Sequence, residues 1–401
     1  MQLLQIQNNP IGSFDYMERL VNDGSPSGFT QIHNTSKQTN PIFSKEFIVK
    51  KLYPNRGHIV ECGEFRGVGE EVFDESFIYI HPDWELYHRD EVYSIGNVID
   101  GMLVIPTSSS RTVRIKGTRR FLKLHYPGML GRIKRDLGVL HLSYAVEITK
   151  ILNKEKSNNC LPGTFDYMPE YYGRVLKDKN REIGFVCREL PLYEGTKYYM
   201  PAFSLFSTDF GKPDDDKLLI QLLSKHDDDA LSFFLNNICY PLLDVFFYCT
   251  FNLGLIPEMH SQNIVYVFDE AWNTKKVLLR DFESIDVDYS IRNNLGFKDT
   301  LLCPTNKAIH DKDENYLKRH SFMFDHKLCE YLIEPLVKCA MGVIKDKDIV
   351  CQIKEYCVDK YGGQYRFFFP TNGCWYKYPN KEIDRSSSSR PYISMGIAKY
   401  R

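Results

Sequence analysis

Short runs of apolar residues, either continuous or alternating with polar ones, dominate the first half of the chain. They occur at residues 77–80, 102–106, 113–115 and 120–125, and again at 174–176 and 182–189 around a Lys-Asp-Lys-Asn turn sequence. A period of two is typical of β-strands, because successive side chains point to opposite faces of a sheet. The pattern therefore predicts a β-rich first half that ends in an antiparallel pair of strands.

Helical spacing of apolar residues dominates the second half. It predicts helices at about 218–225, 228–253, 312–321, 325–344 and 346–359, with one hairpin of strands at 264–268 and 276–281. The same spacing at 131–152 predicts a helix within the β-rich half, with Gly138 as a weak point. The apolar run at 231–255 contains Asn236, Pro241 and Asp244, so we interpret it as a buried helix rather than a membrane span.

These patterns predict an α+β fold in four segments. They are a polar lead-in at 1–45, a β-rich lobe at 46–208, a mostly helical lobe at 209–385 and a low-complexity tail at 386–401. The charged stretch 209–217, which contains Gly and Pro, is a candidate hinge between the lobes. A cleft between two lobes is the usual place for a small-molecule site.

Charge and cysteine content narrow the class of partner. The chain has 401 residues, with 51 Lys and Arg against 52 Asp and Glu, and a formal net charge of −1. It lacks the broad positive field that nucleic-acid binding needs, so any phosphate must be bound by locally placed cations. There is no signal-peptide pattern at the N-terminus, and the eleven cysteines include no Cys-x-x-Cys pair. We expect a cytoplasmic protein with no membrane partner and with reduced, mostly buried thiols.

The strongest local signal is Glu-Met-His-Ser-Gln-Asn at residues 258–263, which follows the long apolar helix. A hairpin comes next and ends in Arg-Asp-Phe at 280–282. This order returns Asp281 to the end of the hairpin where Glu258, His260 and Asn263 lie. Carboxylate and amide oxygens beside a His suit a magnesium–phosphate site, since Mg²⁺ prefers hard oxygen ligands. The alternative interpretation is that these polar residues only cap a helix end and a hairpin.

A Ser-rich loop between two predicted strands gives the second signal. Residues 107–112 read Thr-Ser-Ser-Ser-Arg-Thr, and Lys123 lies in the following strand. Hydroxyls, backbone N–H groups and Arg111 can hold phosphate oxygens, and the Lys123 ammonium can reach the same phosphates. A Ser-rich loop by itself is more often an ordinary hairpin turn. Together with the acidic loop further along the chain, it favours phosphate binding.

Two weaker signals are basic. Arg-Ile-Lys-Arg at 132–135 stands at the start of the predicted helix 131–152, where positive charge opposes the helix dipole. An anionic ligand there and a solvated surface are about equally plausible. Arg188-Glu189 ends a strand, and we interpret it as an internal ion pair at the junction of the lobes.

Taken in order, these motifs resemble the siderophore synthetases that work independently of non-ribosomal peptide synthetases, the aerobactin-synthetase (IucA/IucC-like) family. The resemblance covers about 77–281, and it includes His81-Pro-Asp-Trp at a strand end, Lys123-Leu-His-Tyr and Arg188-Glu-Leu-Pro. The family is usually longer, with an N-terminal region that bears a His-Pro-x-His-Lys motif. That region is almost absent here, and Asp83-Trp84 stands in place of Trp-Gln, so citrate need not be the substrate.

The resemblance implies a fingers-like β lobe and a palm-like helical lobe around a kinase-like nucleotide cleft. It implies ATP-dependent adenylation of a carboxylic acid and its condensation with an amine or hydroxyl, with release of AMP and pyrophosphate. The substrates would be small molecules, and a homodimer is compatible with the family. The implied roles are phosphate binding by Ser109, Arg111, Thr112 and Lys123; Mg²⁺ binding by Glu258 and Asp281 with help from Asn263; contact with the α-phosphate or the substrate by His260; and substrate binding by Arg135 and Gln262.

Two other functions stay open at the level of sequence. A helix followed by a polar loop, a hairpin and an Asp is also typical of small-molecule kinases, although Glu258 stands five residues before Asn263 where such kinases carry an Asp. A non-catalytic relative that only binds nucleotide is the second alternative. A kinase would release ADP, whereas the proposed ligase releases AMP and pyrophosphate.

Overall fold

A computed structural model describes residues 1–26, 35–65, 76–130, 133–179, 181–195, 197–226, 229–297, 301, 303–345, 348–370, 373–378 and 392–401. At 133 and 134 only the backbone is described. The predicted low-complexity stretch 386–389 lies outside the described residues.

The first half of the chain forms an antiparallel eight-stranded sheet in the order β2-β10-β11-β6-β5-β4-β1-β3. The strands predicted in this half are confirmed, and many of their buried side chains pack into one apolar cluster around Val49, Val104 and Phe185. The strands are β1 (Phe47–Pro54), β2 (His58–Gly63), β3 (Ile78–Ile80), β4 (Gly96–Pro106), β5 (Thr112–Ile115), β6 (Arg120–Leu124), β10 (Glu170–Asp178) and β11 (Arg181–Glu189).

Three helices accompany this sheet, and one of them begins later than its sequence predicts. α3 (Asp83–Tyr87) and α4 (Arg89–Ile95) are short, and α5 (Val139–Ser157) is long. The predicted start of α5 at 131 is wrong: Gly138 stands at its N-cap in extended conformation, and a strand pair, β7 (Met129–Leu130) and β8 (Ile133–Lys134), precedes it. Glycine is a poor helix former, which explains why the helix begins only after it. Leu142 and Val146 of α5 pack against Val175 and Val186 of the sheet.

The predicted polar lead-in contains two helices, α1 (Leu3–Asn8) and α2 (Pro10–Leu20). Asn9 caps α2, its side chain accepting from the Gly12 N–H at 3.1 Å, and Pro10 opens it. Phe14 and Met17 of α2 are fully buried, so this segment is part of the folded core.

The second half is mainly helical and contains the largest apolar cluster. α7 runs without a break over Ala230–Asn252 and includes two π-helical segments. It is long and apolar enough to cross a membrane by length and composition, but 67% of its most apolar window is buried inside the protein. This agrees with the interpretation of 231–255 as a buried helix. The other helices are α6 (Leu218–Ser224), α8 (Tyr289–Asn294), α9 (Tyr316–Ser321), which continues into a π-helix (Phe322–Ile333), α10 (Glu334–Ala340) and α11 (Ile349–Phe368).

A four-stranded sheet in the order β12-β14-β15-β9 carries the predicted hairpin. Phe14 of α2, Phe121 of β6 and Val265 of β14 pack in one small cluster, which joins this sheet to the eight-stranded one. The overall class is α+β, as predicted, while the boundaries of the four predicted segments stay predictions. The remaining strands are β9 (Phe165–Tyr167), β12 (Tyr198–Pro201), β13 (Leu255–Ile256), β14 (Ile264–Phe268), β15 (Thr274–Leu279), β16 (Asp286–Asp288), β17 (Ala308–Ile309), β18 (Cys374–Lys377) and β19 (Ile393–Ile397).

All eleven cysteines lie in the described residues and are free. Six of them are buried, two are half-buried, and Cys160, Cys351 and Cys374 are exposed. The prediction of reduced, mostly buried thiols agrees with this distribution.

Candidate active site

A cleft lies where the Ser-rich loop between β4 and β5 meets the end of the β14–β15 hairpin. All of the predicted site residues except Glu258 and His260 line it. Its walls are formed by Thr107, Ser108, Ser109, Arg111, Thr112, Lys123, Arg135, Arg188, Gln262, Asn263, Arg280 and Asp281.

The Ser-rich loop is a tight turn held by its own hydroxyls. The Thr107 hydroxyl donates to the Thr112 carbonyl at 2.7 Å, and the Ser109 hydroxyl accepts from the Thr112 N–H at 2.9 Å. Ser110 adopts a positive φ of 61°, which reverses the chain. Thr112 then pairs with Lys123 across β5 and β6. Lys123 and Arg111 come close to each other because both side chains reach Glu283.

Two hydrogen bonds of Asn263, one from its side-chain amide and one to its backbone carbonyl, hold the polar loop that follows α7. The Asn263 amide donates to the Glu258 carbonyl at 3.0 Å, and the Asn263 carbonyl accepts from the Arg280 N–H at 3.0 Å. The hydrogen bond between Arg280 and Asn263 therefore joins the end of the hairpin to the last residue of the loop. Asp281 follows with a left-handed φ of 77°, and a 3₁₀ turn (Phe282–Ser284) carries Glu283.

These two regions meet in a compact cluster of charges. Lys123 contacts Asp281 directly, and its Nζ lies 3.3 Å from Glu283 Oε1. An Arg111 guanidinium nitrogen donates to the same Oε1 at 2.8 Å, and Arg188 lies 3.4 Å from Asp281 Oδ1 while also contacting Glu170. The internal ion pair predicted at this strand end is thus formed by Arg188 with buried Glu170, while Glu189 lies 3.6 Å from Arg119.

The neighbouring cations keep both carboxylates of this cluster, Asp281 in the cleft wall and Glu283 beside it, ionised. Burial by itself raises the pKa of Asp281, but Lys123, Arg188 and Arg111 hold it well below its usual range. Burial likewise opposes ionisation of Glu283, and Lys123 and Arg111 lower its pKa to about 2. The cluster therefore presents fixed positive charge next to two carboxylates at ordinary pH.

Glu258 is placed differently from Asp281. It does not line the cleft, and its Oε1 accepts from Lys327 Nζ at 2.6 Å. Burial would raise the pKa of Glu258, but the charge of Lys327, with those of His260 and Lys307, holds it well below the usual range. The predicted Mg²⁺ pair of Glu258 and Asp281 is thus not brought into one ion cluster. Glu283 occupies the position beside Asp281 instead.

His260 is buried close enough to Glu258, Lys327 and Asp281 to feel their charges. Burial lowers its pKa to about 4, against the opposing charge of Glu258, so the ring is neutral near pH 7. Its Nδ1 is buried and has no hydrogen-bond partner among the residues that the structure describes. An unsatisfied buried ring nitrogen is a candidate for a ligand contact.

The two predicted substrate residues are both in the wall of the cleft. The backbone carbonyl of Arg135 accepts from Arg111 at 3.2 Å and from the Tyr126 N–H at 3.2 Å. Gln262 donates from its side-chain amide to the Ser108 hydroxyl at 3.2 Å. The placement of the basic cluster 132–135 at a helix start is wrong, because Arg135 follows strand β8; Arg132 lies outside the described residues.

Sequence reasoning missed three residues of this region: Glu283, Arg280 in the wall, and buried Glu18 from α2 behind it. Glu283 was detectable in principle, since it stands two residues after Asp281 in Arg-Asp-Phe-Glu. Glu18 gave no local signal, because only the tertiary fold brings α2 to the loop. Within the described part of the chain, no group of three or more His, Cys, Asp or Glu side chains is arranged to hold a metal ion.

Solved structures with the same overall fold are siderophore synthetases. The ATP-bound aerobactin synthetase IucA from a hypervirulent pathotype of Klebsiella pneumoniae aligns with a TM-score of 0.72 at 15% identity, over 96% of this chain and 78% of that one. Aerobactin synthetase IucC from the same source gives 0.68 at 12% identity, over 96% and 78%. The petrobactin biosynthesis protein AsbB from Bacillus anthracis gives 0.71 at 14%, over 96% and 75%. The resemblance predicted from the motifs is confirmed for the fold.

A family model described as a ferric iron reductase FhuF-like transporter matches residues 232–338, which is less than half of the chain. The match begins within α7 and ends within α10, so it includes the polar loop and the hairpin. No curated protein matches the chain.

Proposed function

We propose that the protein is an ATP-dependent ligase that adenylates a small carboxylic acid and joins it to an amine or hydroxyl, in the biosynthesis of a siderophore or a related natural product. The observation that carries the proposal is the convergence of Arg111, Lys123 and Arg188 with Asp281 and Glu283 in one cleft. Support at the level of the fold comes from the siderophore synthetases, one of which is described as ATP-bound.

The cations would bind the triphosphate. Adenylation places a carboxylate oxygen on the α-phosphorus and expels pyrophosphate, so negative charge must be neutralised on both the transferring and the leaving groups. Lys123 and Arg111 are held by the sheet and the loop before any ligand arrives, which limits reorganisation during the reaction. The hydroxyls of Ser109 and Thr112 would bind phosphate oxygens.

A magnesium ion, when bound, supplies charge neutralisation at the phosphates and a template for in-line attack. The donor set fits this hard cation, because Asp281 and Glu283 are ionised carboxylates two residues apart and Asn263 adds an amide oxygen. Two carboxylates are enough when phosphate oxygens and water complete the shell. In this proposal Glu283 replaces Glu258 as the second acidic ligand.

The acid would lie between His260 and Arg135. The neutral ring of His260 can donate one hydrogen bond to the α-phosphate or to the substrate carboxylate, and the Arg135 guanidinium supplies a positive partner for a carboxylate. Gln262 lies on the same wall and would fix the orientation of the acid. In the second half-reaction an amine nitrogen or hydroxyl oxygen attacks the acyl carbon and AMP leaves.

Product analysis tests the proposal. The protein is incubated with ATP, Mg²⁺, a panel of polycarboxylic acids and a panel of amines and amino alcohols. We expect AMP and pyrophosphate in equal amounts with at least one acid and amine pair. Formation of ADP and phosphorylated substrate would favour the kinase, and ATP binding without turnover across the panels would favour the non-catalytic relative.

A further inference from the structure

Helix α2 carries a buried charge next to the cleft. Glu18 stands near the end of this helix and is only 1% exposed. A carboxylate out of contact with water is tolerated only when hydrogen bonds and a positive partner replace its hydration. The partners of the Glu18 carboxylate therefore indicate its role.

Both oxygens of Glu18 bind the walls of the cleft. Oε2 accepts from the Ser108 N–H at 3.2 Å and from the Ser108 hydroxyl at 2.9 Å. Oε1 accepts from a guanidinium nitrogen of Arg280 at 2.6 Å. One side chain thus joins the Ser-rich loop to the end of the β14–β15 hairpin.

Two further hydrogen bonds close a ring. Arg280 Nε donates to the Gln262 carbonyl at 2.6 Å, and the Gln262 amide donates to the Ser108 hydroxyl at 3.2 Å. The four members of the ring come from four separate stretches of the chain. Ser108 is three residues before Arg111, Gln262 is next to Asn263, and Arg280 is next to Asp281.

We propose that Glu18 is a positioning residue that holds the phosphate-side loop and the acidic hairpin end in fixed register across the cleft. It does not line the cleft, so it acts through Ser108 and Arg280. The expected effect of Glu18 on nucleotide binding rests on the proposed function. The expected effect on amide exchange of residues 107–112 and 258–263 does not. Loss of the ring would let Arg111 and Asp281 move relative to each other, which weakens any ligand that both must contact at once.

The same helix provides a matched control. Asp15 accepts from Arg114 Nε at 2.6 Å, so it also ties α2 to the eight-stranded sheet through an ion pair. Arg114 does not line the cleft, and its other hydrogen-bond acceptors are the carbonyls of Ile115 and Thr118. Asp15→Asn therefore removes a comparable charge from α2 without touching Ser108, Gln262 or Arg280.

The experiment compares Glu18→Gln, Asp15→Asn and wild type by hydrogen–deuterium exchange and by calorimetric titration with Mg²⁺-ATP. We expect amide exchange in 107–112 and 258–263 to rise several-fold in Glu18→Gln only, with ATP affinity about tenfold weaker. Ser108→Ala, which keeps α2 intact, should change exchange and affinity in the same direction if Glu18→Gln fails to fold.

Unchanged exchange of both loops in Glu18→Gln, or an equal rise in Asp15→Asn, would overturn the proposal. If the exchange difference appears but wild type binds no ATP, the positioning role stands and the proposed function fails. If wild type binds ATP and Glu18→Gln binds it equally well, the proposed function stands and Glu18 is only a structural residue.

Discussion

Backbone conformation at Asp281 decides which carboxylates face the cations. A φ of 77° is unfavourable for a residue with a Cβ, and such strain persists where the surroundings hold it. The 3₁₀ turn that follows brings Glu283 to the same side as Asp281, so that Lys123 contacts both. A pair of acids two residues apart thereby shares a single ammonium group.

Substitution of the two candidate metal ligands distinguishes their roles. Glu283→Gln should lower the Mg²⁺-dependent part of ATP affinity by about tenfold, because an amide oxygen is a weaker ligand than a carboxylate. Glu258→Gln should leave it nearly unchanged, because Glu258 is paired with Lys327 outside the cleft. The measurement is calorimetric titration with ATP, with and without Mg²⁺. Loss of the Mg²⁺ effect in Glu258→Gln alone would restore Glu258 as the ligand.

Buried His125 makes the stability of the protein sensitive to acid. Burial lowers its pKa to about 4, while the unfolded chain has the ordinary value of about 6.5. Between these values the unfolded state binds more protons, so the free energy of unfolding falls as pH drops from about 6.5 towards 4. The contribution of His125 should be about 2 kcal/mol between pH 7 and pH 5.

Denaturant unfolding of wild type and His125→Asn at pH 7 and pH 5 checks this contribution. The variant should lose less stability on acidification than wild type does. An equal loss in both proteins would show that His125 is protonated in the folded state.

At the scale of single residues, the sequence identifies groups whose neighbours are local or in strand register. Lys123 and the Ser-rich loop were predictable as neighbours because the strand that follows the loop pairs with the strand of Lys123, with Thr112 opposite Lys123. The partner of Glu258 was not, since Lys327 comes from a helix that begins some sixty residues later and only packing brings it there. For the same reason, the position of Glu283 beside Lys123 and Arg111 depends on the tertiary structure.

At the scale of elements, Gly254 determines how α7 passes into the polar loop. It has a left-handed φ of 60°, and a Cβ there would lie 2.4 Å from Arg292 Cγ and 2.9 Å from the Asp288 carbonyl. Only glycine fits both the conformation and the space. The start of β13 and the placement of the Glu258 loop depend on this position.

Gly254→Ala should therefore destabilise the protein by about 2 kcal/mol or more, measured by denaturant unfolding. Gly163→Ala is the control, because its φ is unremarkable and a Cβ there would meet no atom within 4 Å. The control should change stability by less than about 0.5 kcal/mol. Equal stability of the two variants would show that the turn after α7 tolerates a side chain.

Strands and long helices were predictable from periodicity, whereas short polar elements were not. β14 and the interior of α7 lie where alternation or helical spacing predicts them. α1 and α2 were missed because Asn9 and Pro10 divide the apolar residues of 1–20 between two short helices, even though Phe14 and Met17 are fully buried. The start of α5 was misplaced because apolar residues of β7 and β8 happen to continue its spacing.

At the scale of the whole molecule, a chain with a net charge of −1 concentrates opposite charges in one cleft. Cations come from the eight-stranded sheet and its loop, and acids come from the end of the hairpin in the second sheet. α2 holds the two walls together from behind. The order of motifs along the chain predicted that these cations and acids lie together, because it matches a family whose fold is known. Periodicity alone does not predict tertiary contacts.

We propose that this cleft binds Mg²⁺-ATP through Lys123. Calorimetric titration of wild type and Lys123→Ala with Mg²⁺-ATP, alongside thermal unfolding of both, tests it most directly. We predict one ATP per chain for wild type and a loss of about 2 kcal/mol in binding for a folded Lys123→Ala, because the charged hydrogen bonds of the lysine to phosphate are lost. A folded wild type that binds no ATP, or a variant that binds it as tightly as wild type, would contradict the account.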